Sequence, residues 1–166
     1  MGDDGAACVR IHPRNVDVDE FDPEIVRAVA DGAPASKVKR LLQGGADVNA
    51  VTSHGWSSLY LAVLNNDVDN VKLLLKWGAS VTYVDDDGDD LLLCAICNER
   101  PEPEVVVELL CAGMLVDERT RARALVELKY SLGKYRAARR EIFDVCNWWL
   151  YDLEHSRAFA RLRLVR

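Results

Sequence analysis

The chain has 166 residues, of which 49% are hydrophobic and 29% charged, with a formal net charge of −6. This length suits one domain with a continuous core, and the balance of residues excludes an intrinsically disordered chain. No apolar run reaches the roughly eighteen residues that a membrane-spanning helix needs. Met1-Gly2-Asp3-Asp4 lacks the basic-then-apolar order of a secretory signal, and Ala6 stands where a myristoylation signal needs serine or threonine. The expectation is a cytoplasmic or nuclear protein with no membrane contact. Its five cysteines are then free thiols that pack like small hydrophobes.

Charge is unevenly distributed. Residues 1–118 hold 9 Lys+Arg against 22 Asp+Glu, whereas residues 119–166 hold 12 against 5. Opposite ends of opposite sign can attract two kinds of partner or self-associate head to tail; more simply, they are two solvated faces.

In chain order, residues 1–22 are acidic and expected to be loose. Asp22 and Pro23 suit a helix start, and Pro23 to Ala30 reads as a first helix with Ile25, Val26 and Val29 facing inward. A repeat then dominates. Gly45-Ala46-Asp47-Val48 returns as Gly78-Ala79-Ser80-Val81, and His54-Gly55 returns as Asp87-Gly88, both 33 residues on. Val38, Leu41 and Leu42 match Val71, Leu74 and Leu75 at 33, then Val106, Leu109 and Leu110 at 35, with Arg100-Pro101-Glu102-Pro103 stretching one turn. Within one unit, Leu59, Ala62 and Val63 mark a short helix ending at Asn65-Asn66-Asp67. Val68, Val71, Leu74 and Leu75 mark a second helix, stopped by Gly78. Each helix is too short to stand alone, so the units must stack.

The segment from Gly55 to Val63, followed by Val71 to Ala79, resembles an ankyrin repeat, whose pattern is G-x-T-P-L-H-x-A-A and then V-x-x-L-L-x-x-G-A-D-V-N. Val38 to Asn49 matches the second half almost letter for letter. The resemblance covers residues 23–118 and implies an all-α ankyrin-repeat solenoid of helix-turn-helix units, with about four repeats including degenerate caps. There are departures: Ser57-Ser58 replaces Thr-Pro, Tyr60 replaces the histidine, and Asp90-Leu91-Leu92-Leu93 keeps little of the motif. Weaker coupling between neighbours and modest stability are expected.

Beyond residue 118, Arg119–Leu132 and Tyr135–Leu153 read as two helices split by Gly133, a degenerate fourth repeat and capping helix over residues 119–155. Tyr135, Ala138, Ile142, Val145, Cys146, Trp149 and Leu153 share one face of the second helix, and Arg139 and Arg140 fall on the other. Residues 156–166 form a basic tail.

No constellation for catalysis stands out. His12, His54 and His155 are scattered, and no Gly-rich phosphate loop is present. Asp85-Asp86-Asp87-Gly88-Asp89-Asp90 fails as a calcium loop, because Tyr83 and Cys94 fall at its first and last ligand positions. Cys94 and Cys97 have redox spacing but no zinc partner pair, and are read as core. Neither metal nor cofactor is expected, and the chain is read as a non-enzyme.

The resemblance implies a protein-binding role as adaptor or steric inhibitor, through hairpin fingers and the concave inner-helix face. Partner-binding candidates on this frame are His54, Trp56, Tyr60, Asn65, Asp86, Asp87, Asp89 and Asn98. Trp77 is a further aromatic, and Trp148 is either a dimer contact or a local shield; a monomer is expected. Asn49, preceded by Leu41 and Asp47-Val48, resembles the asparagine hydroxylated in some ankyrin proteins and is carried as a candidate modification site. The alternative function is a binder of nucleic acid or an anionic surface through Arg119, Arg121, Arg123, Arg136, Arg139 and Arg140.

Overall fold

The computed structural model describes residues 18–84, 88–131 and 133–163, with side chains as far as residue 150. Eight α-helices follow one another among these residues: α1 (Glu24–Ala30), α2 (Ala35–Gln43), α3 (Ser58–Leu64), α4 (Val68–Lys76), α5 (Leu91–Cys97), α6 (Pro103–Cys111), α7 (Glu118–Tyr130) and α8 (Arg136–Arg163). A 3-10 turn over Gly133–Tyr135 joins the last two.

Local chemistry sets the helix starts. The side chains of Ser57, Asp67, Asp90 and Asp117 each accept the backbone N–H three residues on, from Tyr60, Asn70, Leu93 and Thr120. Each such cap satisfies one of the donors a helix start leaves unpaired. Helix ends repeat as well. Gly45, Gly78 and Gly113 take positive φ, and the residue after each donates back to the carbonyl five positions earlier. That closing turn demands a left-handed residue, which glycine adopts at little cost. Asn66 fills the same role after α3 at φ 52°, a conformation that asparagine tolerates better than most residues.

Helices α1, α3, α5 and α7 lie side by side as one layer, and α2, α4, α6 and α8 form a second. Their facing stripes merge into one core that includes Ile25, Val29, Leu59, Val71, Leu74, Leu92, Val106 and Leu109. This is the all-helical stacked solenoid expected from the repeat. Isolated antiparallel bridges, Val51 to Ser57 and Val84 to Asp90, close the bases of two projecting fingers. Ser57 stands twelve positions after Gly45 and Asp90 twelve after Gly78, but Asp117 stands only four after Gly113. The third connection is therefore too short for a finger, and α7 follows α6 directly.

Two expectations change at the ends. Residues 18–22, grouped with a loose N-terminus, are tied down: Asp22 is 7% exposed and accepts N–H bonds from Asp19 and from Ser53 of the first finger. Residues 1–17 lie outside the described residues. At the other end α8 runs through the start of the expected tail to Arg163.

Candidate interaction surface

The first finger is organised by Thr52, which is 4% exposed. Its hydroxyl accepts the N–H groups of His54 and Trp56, its own N–H donates to the Trp56 carbonyl, and its carbonyl accepts from Gly55. Both flanks of the loop are thus pinned through one buried side chain, and Ser53 is pinned to Asp22. The His54 and Trp56 rings stack with centroids 5.1 Å apart at 23°. His54 is exposed and Trp56 half-buried against the core. Phe21, beside the anchored Asp22, is 91% exposed.

Asp86 and Asp87 on the second finger lie outside the described residues. Asp89 is ion-paired at 2.5 Å with Arg119, which also donates to the Gly88 carbonyl. The carboxylate picked out as a partner contact therefore has an internal cation, and it fastens the finger to α7. Val51 and Val84, 33 residues apart, are exposed on the two fingers. Sequence reasoning missed this apolar pair, although the period would have shown it.

Tyr60 is not on the surface. It is 1% exposed, and its ring stacks on Tyr83 at 4.2 Å. Every side chain of α3 and α5 is buried. The concave inner-helix face is thus closed over the two middle units, and the accessible relief is on the fingers and at the ends. Asn65 and Asn98 are only partly exposed and have structural partners. Their amides donate to the Val29 and Leu64 carbonyls, at the end of the preceding inner helix in each case. They stitch neighbouring units by satisfying helix-end carbonyls. The exposed Asn49 also braces, because its side-chain oxygen accepts the Ser80 N–H at 2.8 Å.

Most arginines of the basic third are likewise engaged. Arg121 pairs with Glu118, Arg123 with Glu127 and Arg140 with Asp144, in addition to Arg119 with Asp89. Arg139, placed on the outer face of the capping helix by its spacing, is only 7% exposed. It donates to the Ile96 and Asn98 carbonyls and to Glu127 at 2.7 Å. At the α7 end, Ser131 holds the place that Asn65 and Asn98 hold after α3 and α5, and Arg139 supplies the stitch to α5 from α8 instead. Cys94 and Cys97 are buried, as read from the sequence, and the Arg123 Nε lies 3.1 Å from the Cys97 sulfur. Trp77 is 40% exposed at the end of α4; Trp148 is 61% exposed and meets Trp149 edge-on at 5.7 Å.

A family profile described as "Ankyrin repeats (3 copies)" matches residues 25–120. The chain belongs to the ankyrin-repeat family. It is 40% identical to the human and Pongo abelii proteins "Ankyrin repeat and SOCS box protein 6" over 65 residues, covering 36% of this chain and 15% of those proteins. It is 31% identical to "BTB/POZ domain and ankyrin repeat-containing protein NPR3" of Oryza sativa subsp. japonica over 128 residues, 70% of this chain and 21% of that one. Among solved structures, the human ASB11 ankyrin repeat domain superposes with a TM-score of 0.57 at 27% identity, covering 74% of this chain and 52% of that chain. The chain spans 15% to 21% of the length of these curated relatives. Ankyrin repeats are protein-interaction scaffolds, and no helix among the described residues is long and apolar enough to cross a membrane.

Proposed function

We propose that this ankyrin solenoid acts as an adaptor or steric inhibitor, binding one partner protein across its two fingers. The observation that carries this reading is the first finger, where exposed His54 stacks on half-buried Trp56 in a loop braced by Thr52 and Asp22. Aromatic anchors with few rotors, held in place before binding, lose little entropy on association. The acidic run at residues 85–87 on the second finger adds an electrostatic preference for a partner with basic side chains opposite it. With the inner helices closed over, the partner sits on the finger row rather than in the concave trough. Masking a surface, or bridging two proteins, follows from such docking without any chemical step. The free thiols among the described cysteines suit a reducing cytoplasmic or nuclear compartment.

The test is an affinity capture with the intact chain, repeated with Trp56→Ala and with Asp86→Lys/Asp87→Lys. Truncating a central Trp anchor typically costs at least about 2 kcal/mol, or about thirtyfold in affinity. Retention of the same partner by both variants would move the interface elsewhere. A phosphate-binding reading has little support, since the arginines it needs are largely spent on internal carboxylates.

A further inference from the structure

Helix α7 carries two stripes. Thr120, Ala124 and Leu128 are buried toward the body of the solenoid. Ala122, Leu125, Val126, Lys129 and Tyr130 form a second stripe at i, i+3, i+4, i+7 and i+8, and all five are exposed. Leu125 is 48%, Val126 42% and Tyr130 71% exposed. A stacked solenoid covers such a side of each inner helix with the next unit, as α3 is covered by α5 and α5 by α7. The first inner helix has no equivalent, because Ile25, Val26, Ala28 and Val29 are all buried and the one exposed residue within it is Glu24, with Asp31 exposed just past its end.

We propose that α7 is the contact helix of a twofold homodimer, packing antiparallel against α7 of a second copy. Among the described residues only the C-terminal end offers an uncovered apolar stripe on an inner helix, so a self-contact that buries it joins like to like and closes after two copies. Charge complementarity fixes the orientation. Glu118 begins the helix and Lys129 lies in its last turn. With the axis between residues 123 and 124, each Glu118 faces Lys129 of the other copy and each Ala122 faces the other copy's Leu125. A small residue opposite a large one lets the helices approach closely, and the antiparallel helix dipoles are complementary. In parallel, Glu118 would face Glu118 and Lys129 would face Lys129. Thirteen helical residues give a contact below the roughly 1,200 Å² of standard interfaces, so the dimer is a weak one. The expectation from the sequence is a monomer, and the measurement below separates the two.

The test is sedimentation equilibrium of the intact chain from micromolar to near-millimolar concentration. The average mass rises from 18.6 kDa toward twice that value. Leu125→Glu/Val126→Glu stays at the monomer mass with an unchanged thermal melt, since both side chains are surface groups. Glu118→Lys and Lys129→Glu each associate at least tenfold more weakly, yet an equimolar mixture of the two regains association, because both cross-pairs are then opposite in charge. A monomer at every concentration overturns the proposal and leaves the stripe to another protein. So does growth beyond two copies, association that survives the double glutamate variant, or a mixture no stronger than its components.

Discussion

Replacing Arg139 by Met tests the stitch between the capping helix and the repeats. Arg139 is 7% exposed and donates to the Ile96 and Asn98 carbonyls and to Glu127. Methionine keeps most of the stem but removes all three hydrogen bonds. Two carbonyls near the end of α5 then lose this partner, and among the described residues Glu127 keeps Arg123, at 3.5 Å. Breaking a buried ion pair on one side costs about 3–5 kcal/mol. The surviving Arg123 contact reduces this, so the expected loss is about 2–4 kcal/mol, a large part of the roughly 5–15 kcal/mol of a typical domain. Equilibrium urea unfolding reads it out as a midpoint lowered by about 1–3 M at a similar m-value. Arg139→Met/Glu127→Met should lose less than the two single changes added together, because the stranded carboxylate is gone as well. A single-variant loss under about 0.5 kcal/mol, the level of an ordinary surface substitution, would refute the role given to Arg139.

Other outcomes follow from the caps and thiols. Asp117→Ala should destabilise by about 1 kcal/mol through loss of its bond to the Thr120 N–H, read as a shift in the urea midpoint. That N–H holds the Asp117 carboxyl below its usual 3.8, so this share of stability is complete above pH 3.8 and fades as pH falls through the lowered folded value; a gap between wild type and variant that does not narrow at all as pH falls below 3.8 would contradict it. Burial pushes the Cys146 thiol up to about 11, so at neutral pH iodoacetamide should label the exposed Cys111 well before Cys146. The same raised value favours folding below pH 9 and withdraws that contribution as pH rises toward 11; a Cys146→Ala variant should lack this alkaline loss, which a urea midpoint series across that range checks.

The solenoid was readable because stacking imposes a period: Gly45, Gly78 and Gly113 stop α2, α4 and α6 in the same way, and the apolar stripes keep step with them. The surface was harder to read. Whether a position faces solvent depends on what the neighbouring unit lays over it, which one repeat does not reveal. Tyr60 fell where the family carries a polar residue, but Tyr83 from the next finger covers it. Asn65 and Asn98 looked like contact residues because they are polar; their spacing of 33, each just after an inner helix, was the clue that they bind backbone. The helical period placed Arg139 outside, but periodicity cannot see the exposed carbonyls near the end of α5 that draw it in. His54 and Trp56 follow a buried threonine whose hydroxyl organises the loop, and one threonine in a polar turn gives little warning of that.

The central claim, that the first finger is the binding surface, is tested most directly by quantitative capture on immobilised wild-type chain and on His54→Ala/Trp56→Ala. Circular dichroism spectra of the two proteins should agree at the assay temperature, showing that the solenoid is intact, with the variant melting somewhat lower because Trp56 packs in part on the core. The account predicts that a partner held by the wild type is lost by about thirtyfold or more on the double variant, the scale of an aromatic hot spot. Equal capture by two equally folded proteins would contradict it.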